Sequence, residues 1–125
     1  MSEYFALIAE DSMDIAGLMQ LTLARVNIES HHASNGLLAL EFLASRLPDV
    51  LLLDINMPGK NGWQVLEEVK ERYPNSTFPV IVLTAFDDPA NKLIGKLQAR
   101  VFRYLTKPFD PRELESTVKE ALGIA

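Results

Sequence analysis

The chain has 125 residues, enough for one domain with a buried core, and is 48% hydrophobic and 23% charged, as is usual for globular proteins. The formal net charge is −5, so no general basic character predicts direct binding to nucleic acid. Cysteine is absent, which excludes disulfides, thiol catalysis and zinc–thiolate sites. Because no apolar run approaches about 18 residues and the first residues do not resemble a signal peptide, we expect a cytoplasmic protein without membrane contact.

Short apolar runs alternate with segments of helical periodicity along the whole chain. The runs predict five strands, at residues 4–9, 29–33, 50–53, 79–84 and 102–106. After each strand, apolar residues recur every three or four positions and predict a helix; the five helices bury, in turn, Leu23, Leu40, Leu66, Ile94 and Leu122. Asp88 and Asp110 each precede a proline, as an N-cap does before proline at the first helical position, and Glu113 stands where the acid of a capping box would.

The order of these elements predicts the fold class. Continuous apolar strands separated by amphipathic helices indicate a parallel sheet that is covered on both faces. We therefore expect a three-layer α/β sandwich of five β-α units, a doubly wound fold whose core covers residues 4–122. No repeat, linker or low-complexity tract divides the sequence, so residues 1–125 are predicted to form a single domain.

Polar residues stand where the predicted strands end. Glu10 and Asp11 follow the first strand, Asp54 the third and Lys107 the fifth, and Thr84 ends the fourth. Each has an ordinary explanation when taken alone, such as a helix cap, a turn residue or a solvated charge. In an open parallel sheet, however, ligands bind outside the carboxyl ends of the strands. Three acids, a hydroxyl and an ammonium on one edge therefore predict a functional site.

This set of side chains suits a divalent cation and a phosphoryl group. Clustered carboxylates repel one another unless a cation lies among them, and Mg²⁺ prefers hard oxygen ligands together with phosphate oxygens. Lys107 would counter the charge of the phosphate, and the Thr84 hydroxyl would donate a hydrogen bond to it. Asp54 is the best candidate for the nucleophile, because carboxylates form aspartyl-phosphate intermediates.

The segments around these residues resemble the receiver domain of two-component response regulators. The matching motifs are "IAEDS", "LLLDINMPGKNGW", "VIVLTA" and "YLTKPF", which occur in the order of the family and cover the chain from about residue 4 to residue 122. The resemblance implies a flavodoxin-like sheet with strand order 2-1-3-4-5. It also implies a signalling domain that is no enzyme beyond catalysing its own phosphorylation and dephosphorylation.

The resemblance assigns roles to the residues at the strand ends. Asp54 would accept a phosphoryl group from a histidine kinase or a phosphotransfer protein, Lys107 would pair with the phosphate, and the Lys107–Pro108 peptide bond would be cis. The implied ligands of Mg²⁺ are Glu10, Asp11, Asp54 and the backbone carbonyl of Asn56.

The resemblance further implies a switch that passes the signal on. Thr84 would move toward the phosphate while the ring of Tyr104 turns inward, which changes the face made by the fourth helix, the fifth strand and the last helix. Asn56, Ala85 and Phe86 would flank the phosphoryl group, and we expect Phe86 to shield it from water, so that Phe86→Ala changes the rate of dephosphorylation. The partner downstream would be an output domain or a separate target protein, and the resemblance allows for a homodimer that forms on phosphorylation.

Two adjacent histidines, His31 and His32, lie in the second predicted strand. Successive side chains of a strand point to opposite faces of the sheet. We therefore expect one ring to be packed and the other exposed, and the sequence assigns neither of them a role.

Other functions stay open at this point. A phosphatase of the haloacid dehalogenase type also has a strand-end aspartate nucleophile, but Asn56 stands where its general acid would be, and an amide cannot serve as an acid. A flavodoxin-like cofactor site would need a phosphate loop in place of the acids after the first strand. A degenerate receiver that only binds partners is the third alternative. Since Met1 is close to the first strand, we expect any output domain to follow the C-terminal end.

Overall fold

A computed structural model of the protein describes residues 3–85 and 101–124. The five strands are β1 (Tyr4–Ala9), β2 (Ile28–Ala33), β3 (Val50–Asp54), β4 (Val80–Ala85) and β5 (Val101–Lys107). The helices within this part of the chain are α1 (Met13–Arg25), α2 (Gly36–Ser45), α3 (Gly62–Arg72) and a C-terminal helix (Pro111–Leu122). Each strand and helix predicted for these residues is present, with ends displaced by a few positions. The fourth predicted helix and its start at Asp88 lie outside the described residues.

The strands form one parallel sheet in the order β2-β1-β3-β4-β5. This order confirms the doubly wound fold that the sequence pattern predicted and the flavodoxin-like strand order that the resemblance implied. β3 lies at the centre, and all five of its residues are buried, because layers of helices cover both faces of the sheet. The apolar run before Asp54 is therefore a central strand that fixes the acid at the edge of a rigid sheet.

Alternate side chains of the central strand enter two separate cores. Leu51 and Leu53 pack into a cluster with residues of α2 and α3. Val50 and Leu52 pack into the opposite cluster, with residues of α1 and the C-terminal helix. The alternation is that of any strand, in which successive side chains leave on opposite faces. Both cores contribute to holding the carboxyl end of β3 in place.

Polar N-caps begin the helices that the structure describes. Asn61 and Gln64 form a reciprocal capping box at the start of α3, with hydrogen bonds of 2.8 and 3.0 Å. Asp110 caps the C-terminal helix, as predicted, but its side chain accepts from the backbone N–H of Arg112 rather than of Glu113. The C-terminal helix therefore begins with a single Asp110 cap rather than with the capping box expected at Glu113, and the reciprocal box occurs at α3.

Leu52→Ala is expected to lower the free energy of unfolding by about 2–5 kcal/mol, because it leaves a cavity in a core that cannot fully collapse. Leu52 is fully buried at the centre of the sheet. Leu37→Ala is the matched control, since Leu37 on α2 is 59% exposed and its truncation should change stability by about 0.5 kcal/mol or less. Urea unfolding followed by circular dichroism measures both, and equal losses would contradict the placement of the core.

Among the helices that the structure describes, none has the length and apolar character needed to cross a membrane.

Candidate functional site

The carboxyl ends of three strands bring two acids and one amine into contact. Lys107 Nζ lies 2.6 Å from Glu10 Oε1 and 3.0 Å from Asp54 Oδ2. The register of the sheet explains why the two acids are neighbours, because Ala9 and Leu53 are paired and Glu10 and Asp54 follow them side by side. The convergence predicted from the sequence is therefore present for these three residues.

Asp11 brings a third carboxylate to the same place. Oxygen atoms from Glu10, Asp11 and Asp54 lie within 4.8 Å of one another. Glu10 and Asp54 are buried, whereas Asp11 is exposed and open to solvent. Three carboxylates around one ammonium leave an excess of negative charge, and hard oxygen donors are the ligands that Mg²⁺ prefers. The residues present thus fit a divalent cation.

Burial and the contact between the acids and the amine shift the pKa values of Glu10 and Lys107. Burial raises the pKa of Glu10 from 4.5 to about 7, against the lowering effect of hydrogen bonds from Lys107 and the Ser12 amide. Burial also acts to lower the pKa of Lys107, but its hydrogen bonds to Glu10 and Asp54 and their negative charges outweigh that effect, and the pKa is raised. Lys107 thus stays charged at neutral pH and holds two acids together that would otherwise repel each other.

Backbone hydrogen bonds fix the carboxyl group of Asp54 at the end of β3. Its Oδ1 accepts a hydrogen bond of 3.0 Å from the backbone N–H of Asn56. The next residue, Ile55, donates its N–H to the carbonyl of Leu83 in β4 and accepts from Gly62 at the start of α3. Hydrogen bonds to β4 and to α3 therefore hold the turn that follows Asp54 in place.

Gly62→Ala is expected to push α3 away from this turn. An added Cβ would lie 2.6 Å from the carbonyl oxygen of Asp54 and 2.8 Å from the Cα of Ile55, and backbone atoms cannot step aside as a flexible side chain can. We expect a loss of about 1–3 kcal/mol in the free energy of unfolding, as is typical of overpacking. Gly17→Ala is the control: it meets no atom within 4 Å inside α1 and should stabilise by about 0.5–1 kcal/mol. Denaturant unfolding measures the free energy of unfolding of both variants, which should fall for Gly62→Ala and rise for Gly17→Ala.

The hydroxyl groups of Thr84 and Tyr104 are buried and unpaired. Within the described residues, neither Thr84 Oγ1 nor the Tyr104 hydroxyl has a hydrogen-bond partner. Burial raises the pKa of Tyr104. The ring packs against the core cluster shared with α2 and α3. A buried hydroxyl without a partner is stabilised when a ligand supplies a hydrogen bond. Such a group is therefore suited to rearrange on ligand binding. Their role as a switch stays a prediction.

Of the remaining residues expected at the site, the structure describes some fully and others in part or not at all. Asn56 is exposed beside Asp54, and the predicted cis peptide bond between Lys107 and Pro108 is confirmed. Ala85 is the last residue of β4, while its side chain and the whole of Phe86 lie outside the described part of the chain. Their expected place beside a phosphoryl group stays a prediction.

One contact of the site comes from the end of β2 and was not predicted from the sequence. His32 Nε2 lies 2.6 Å from the backbone carbonyl oxygen of Glu10. His31 is exposed and stacks on Phe42 with ring centroids 4.1 Å apart, so the expected split between a packed and an exposed histidine is confirmed. Only the alternation of the strand hinted at this difference, because the partner of His32 is a backbone atom that no motif shows.

Comparison with known proteins identifies the family. The sequence model described as the response regulator receiver domain matches residues 6–119. The chain belongs to the response regulator receiver family. As a receiver domain it is a signalling domain of two-component systems, in a family that binds Mg²⁺ at an acidic pocket.

Individual relatives agree with this assignment. The receiver domain is 37% identical over 116 residues to the DNA-binding transcriptional regulator NtrC of Escherichia coli, a match that covers 93% of this chain but 24% of that protein. It thus spans about a quarter of the length of this curated relative. The receiver domain of response regulator 1452 from Francisella is 30% identical with a TM-score of 0.86, over 97% of this chain and 98% of that one. Chemotaxis protein CheY4 of Vibrio cholerae is 28% identical with a TM-score of 0.86, over 95% and 98%.

Proposed function

We propose that Asp54 is the phosphoacceptor of this receiver domain and that its phosphorylation depends on Mg²⁺. The observation that carries the proposal is the contact of Lys107 Nζ with both buried acids, Glu10 and Asp54, at the carboxyl end of the sheet. A strand-end carboxylate beside a fixed ammonium and further acids is the arrangement needed to bind a cation and a phosphoryl group together.

The reaction follows from the chemistry of the carboxylate. An Asp54 oxygen forms a bond to phosphorus, and the bond from phosphorus to the donor breaks; with a phosphohistidine donor, the imidazole nitrogen takes the electron pair and then a proton. Glu10, Asp11, Asp54 and the carbonyl of Asn56 would hold Mg²⁺, which when bound neutralises the charge of the phosphoryl oxygens. Lys107 holds its ammonium beside the acceptor oxygen, and the backbone N–H of Asn56 orients the carboxyl group.

The partners proposed follow from the family. A histidine kinase or a phosphotransfer protein would supply the phosphoryl group, and an output domain or a separate target would read the result. Thr84 and Tyr104 would couple phosphorylation to the output, because a phosphoryl group near Thr84 can accept a hydrogen bond from its unpaired hydroxyl. The effect is a shift between two packings, limited by the difference in the affinity of the phosphate for them.

A phosphatase and a degenerate receiver, two of the three alternatives, fit the site less well. A haloacid dehalogenase-type phosphatase would place its nucleophile on the first strand and an acid at position 56, whereas Asp54 ends the third strand and position 56 is Asn56. A degenerate receiver would have lost part of the site, whereas Glu10, Asp54 and Lys107 are in contact and Asp11 lies beside them.

Incubation with acetyl phosphate tests the proposal without a kinase. Intact-mass spectrometry should show one added phosphoryl group in the presence of Mg²⁺ and none when the metal is removed with EDTA. A protein that gains no phosphate, or gains it equally in EDTA, would contradict a metal-dependent acceptor.

A further inference from the structure

The end of β2 holds both backbone groups of Glu10. The N–H of Glu10 donates a hydrogen bond of 3.1 Å to the carbonyl of Ala33. The carbonyl of Glu10 accepts one of 2.6 Å from the ring of His32. A carbonyl oxygen only accepts, so Nε2 of this ring carries the hydrogen. β2 thereby fixes the residue that leads from the first strand into the acidic site.

The Glu10 backbone controls where two carboxylates point. The chain has only Glu10, Asp11 and Ser12 between β1 and α1, and Ser12 is the N-cap of that helix. The Ser12 N–H also donates to Glu10 Oε2 at 3.1 Å. With both ends of so short a connection anchored, a rotation of the peptide after Glu10 would displace the carboxyl groups of Glu10 and Asp11 together.

Only one of the two histidines can reach this peptide. In the parallel register, His32 pairs with Ile8 and His31 with Leu7. Ile8 belongs to the core beside α1, whereas Leu7 belongs to the core beside α2, so the two rings leave the sheet on opposite faces. His31 stacks on Phe42 of α2 and has no part in the site.

We propose that His32 is a positioning residue of the divalent cation site. Its imidazole N–H holds the peptide carbonyl of Glu10 and so keeps the carboxylates of Glu10 and Asp11 in the arrangement that binds the cation. The inference rests on the proposed function, because it concerns the same Mg²⁺ site. His32 would act through the backbone of Glu10 and would touch neither the cation nor the phosphoryl group.

Four variants separate the hydrogen bond from other effects of the histidine. His32→Leu removes the donor. His32→Asn keeps an amide that is too short to place a donor at the position of Nε2, whereas the longer His32→Gln can place its Nε2 there. His31→Asn makes the same change one residue away, on the opposite face. Isothermal titration calorimetry with Mg²⁺ gives the dissociation constant of each variant, and thermal unfolding in EDTA reports the stability without metal.

We expect His32→Leu and His32→Asn to weaken Mg²⁺ binding about tenfold, at the low end of the effect of groups that orient metal ligands. His32→Gln and His31→Asn should bind Mg²⁺ as the wild type does. If His32→Leu fails to fold, the difference between the Asn and Gln variants decides. If the His32 ring only filled space, His32→Gln would not restore the affinity for Mg²⁺.

Three results would overturn the positioning role: unchanged affinity in both His32→Leu and His32→Asn, a His32→Gln variant as weak as His32→Leu, or an equal loss in His31→Asn. A wild-type protein that binds no Mg²⁺ would overturn the metal site itself and this inference with it. The failure of the two proposals can thus be told apart by the wild-type titration.

Discussion

Asp54→Asn is expected to abolish phosphorylation by acetyl phosphate and Mg²⁺ while leaving the fold intact. The amide oxygen of asparagine can still accept the hydrogen bond that the Asn56 N–H donates to Asp54 Oδ1. The amide is, however, a poor nucleophile and carries no negative charge to attack phosphorus or to bind a cation. Intact-mass spectrometry measures the adduct, and circular dichroism checks the fold.

Asp49→Asn is the matched control for this variant. Asp49 also accepts a backbone hydrogen bond, from the N–H of Phe5 at 2.8 Å, but it lies just before β3, at the opposite end of that strand from Asp54. Its replacement should leave phosphorylation unchanged. An adduct that persists in Asp54→Asn, or that disappears in Asp49→Asn, would contradict the assignment of the acceptor.

Lys107→Met is expected to have two separate effects. The rate of phosphorylation should fall on the order of 10²-fold, because a preorganised positive group next to the phosphoryl oxygens is lost. Without Mg²⁺, the free energy of unfolding should fall by about 3 kcal/mol, because Glu10 and Asp54 are left buried with no counter-charge from Lys107. Added Mg²⁺ should restore part of that stability, since a cation among the acids takes over the role of the ammonium.

The sign of the stability effect follows from the pKa of Lys107, which is raised above 10.5. A raised pKa means that the folded state binds the proton more tightly, so the contribution is complete at neutral pH and is lost only as the pH rises through the raised value. Lys119→Met is the control, since the Lys119 pair with Glu115 is a surface pair on one helix and is worth about 1 kcal/mol or less. If the two variants lost equal stability at neutral pH, the buried cluster would not be held by Lys107.

Much of the fold and the site could be predicted because both depend on local patterns with a fixed geometry. The apolar run before Asp54 marks a buried parallel strand, and parallel strands end on one edge, so the strand-end residues Glu10, Asp54 and Lys107 could be placed at the same edge of the sheet. The cis bond before Pro108 could not be derived in this way and came from the resemblance alone.

The features that the sequence did not predict depend on contacts with backbone atoms. No pattern in the sequence marks Gly62 as a point of close approach, yet the absence of a Cβ is what lets α3 approach the carbonyl of Asp54. His32 bonds to a peptide carbonyl, which every residue has, so no pairing of side-chain types pointed to Glu10. The capping box expected at Glu113 is replaced by a simpler cap, in which the Asp110 side chain accepts from the N–H of Arg112, because the first N–H groups of a helix can be satisfied in several ways.

Locating the phosphoryl group within the chain is the most direct test of the account. Borohydride reduces an aspartyl phosphate to homoserine, and peptide mass spectrometry then reports which residue has changed. After treatment with acetyl phosphate and Mg²⁺, we expect homoserine at position 54 and at no other position. Modification of Asp11 or of any residue other than Asp54, or an adduct that resists borohydride, would contradict Asp54 as the phosphoacceptor.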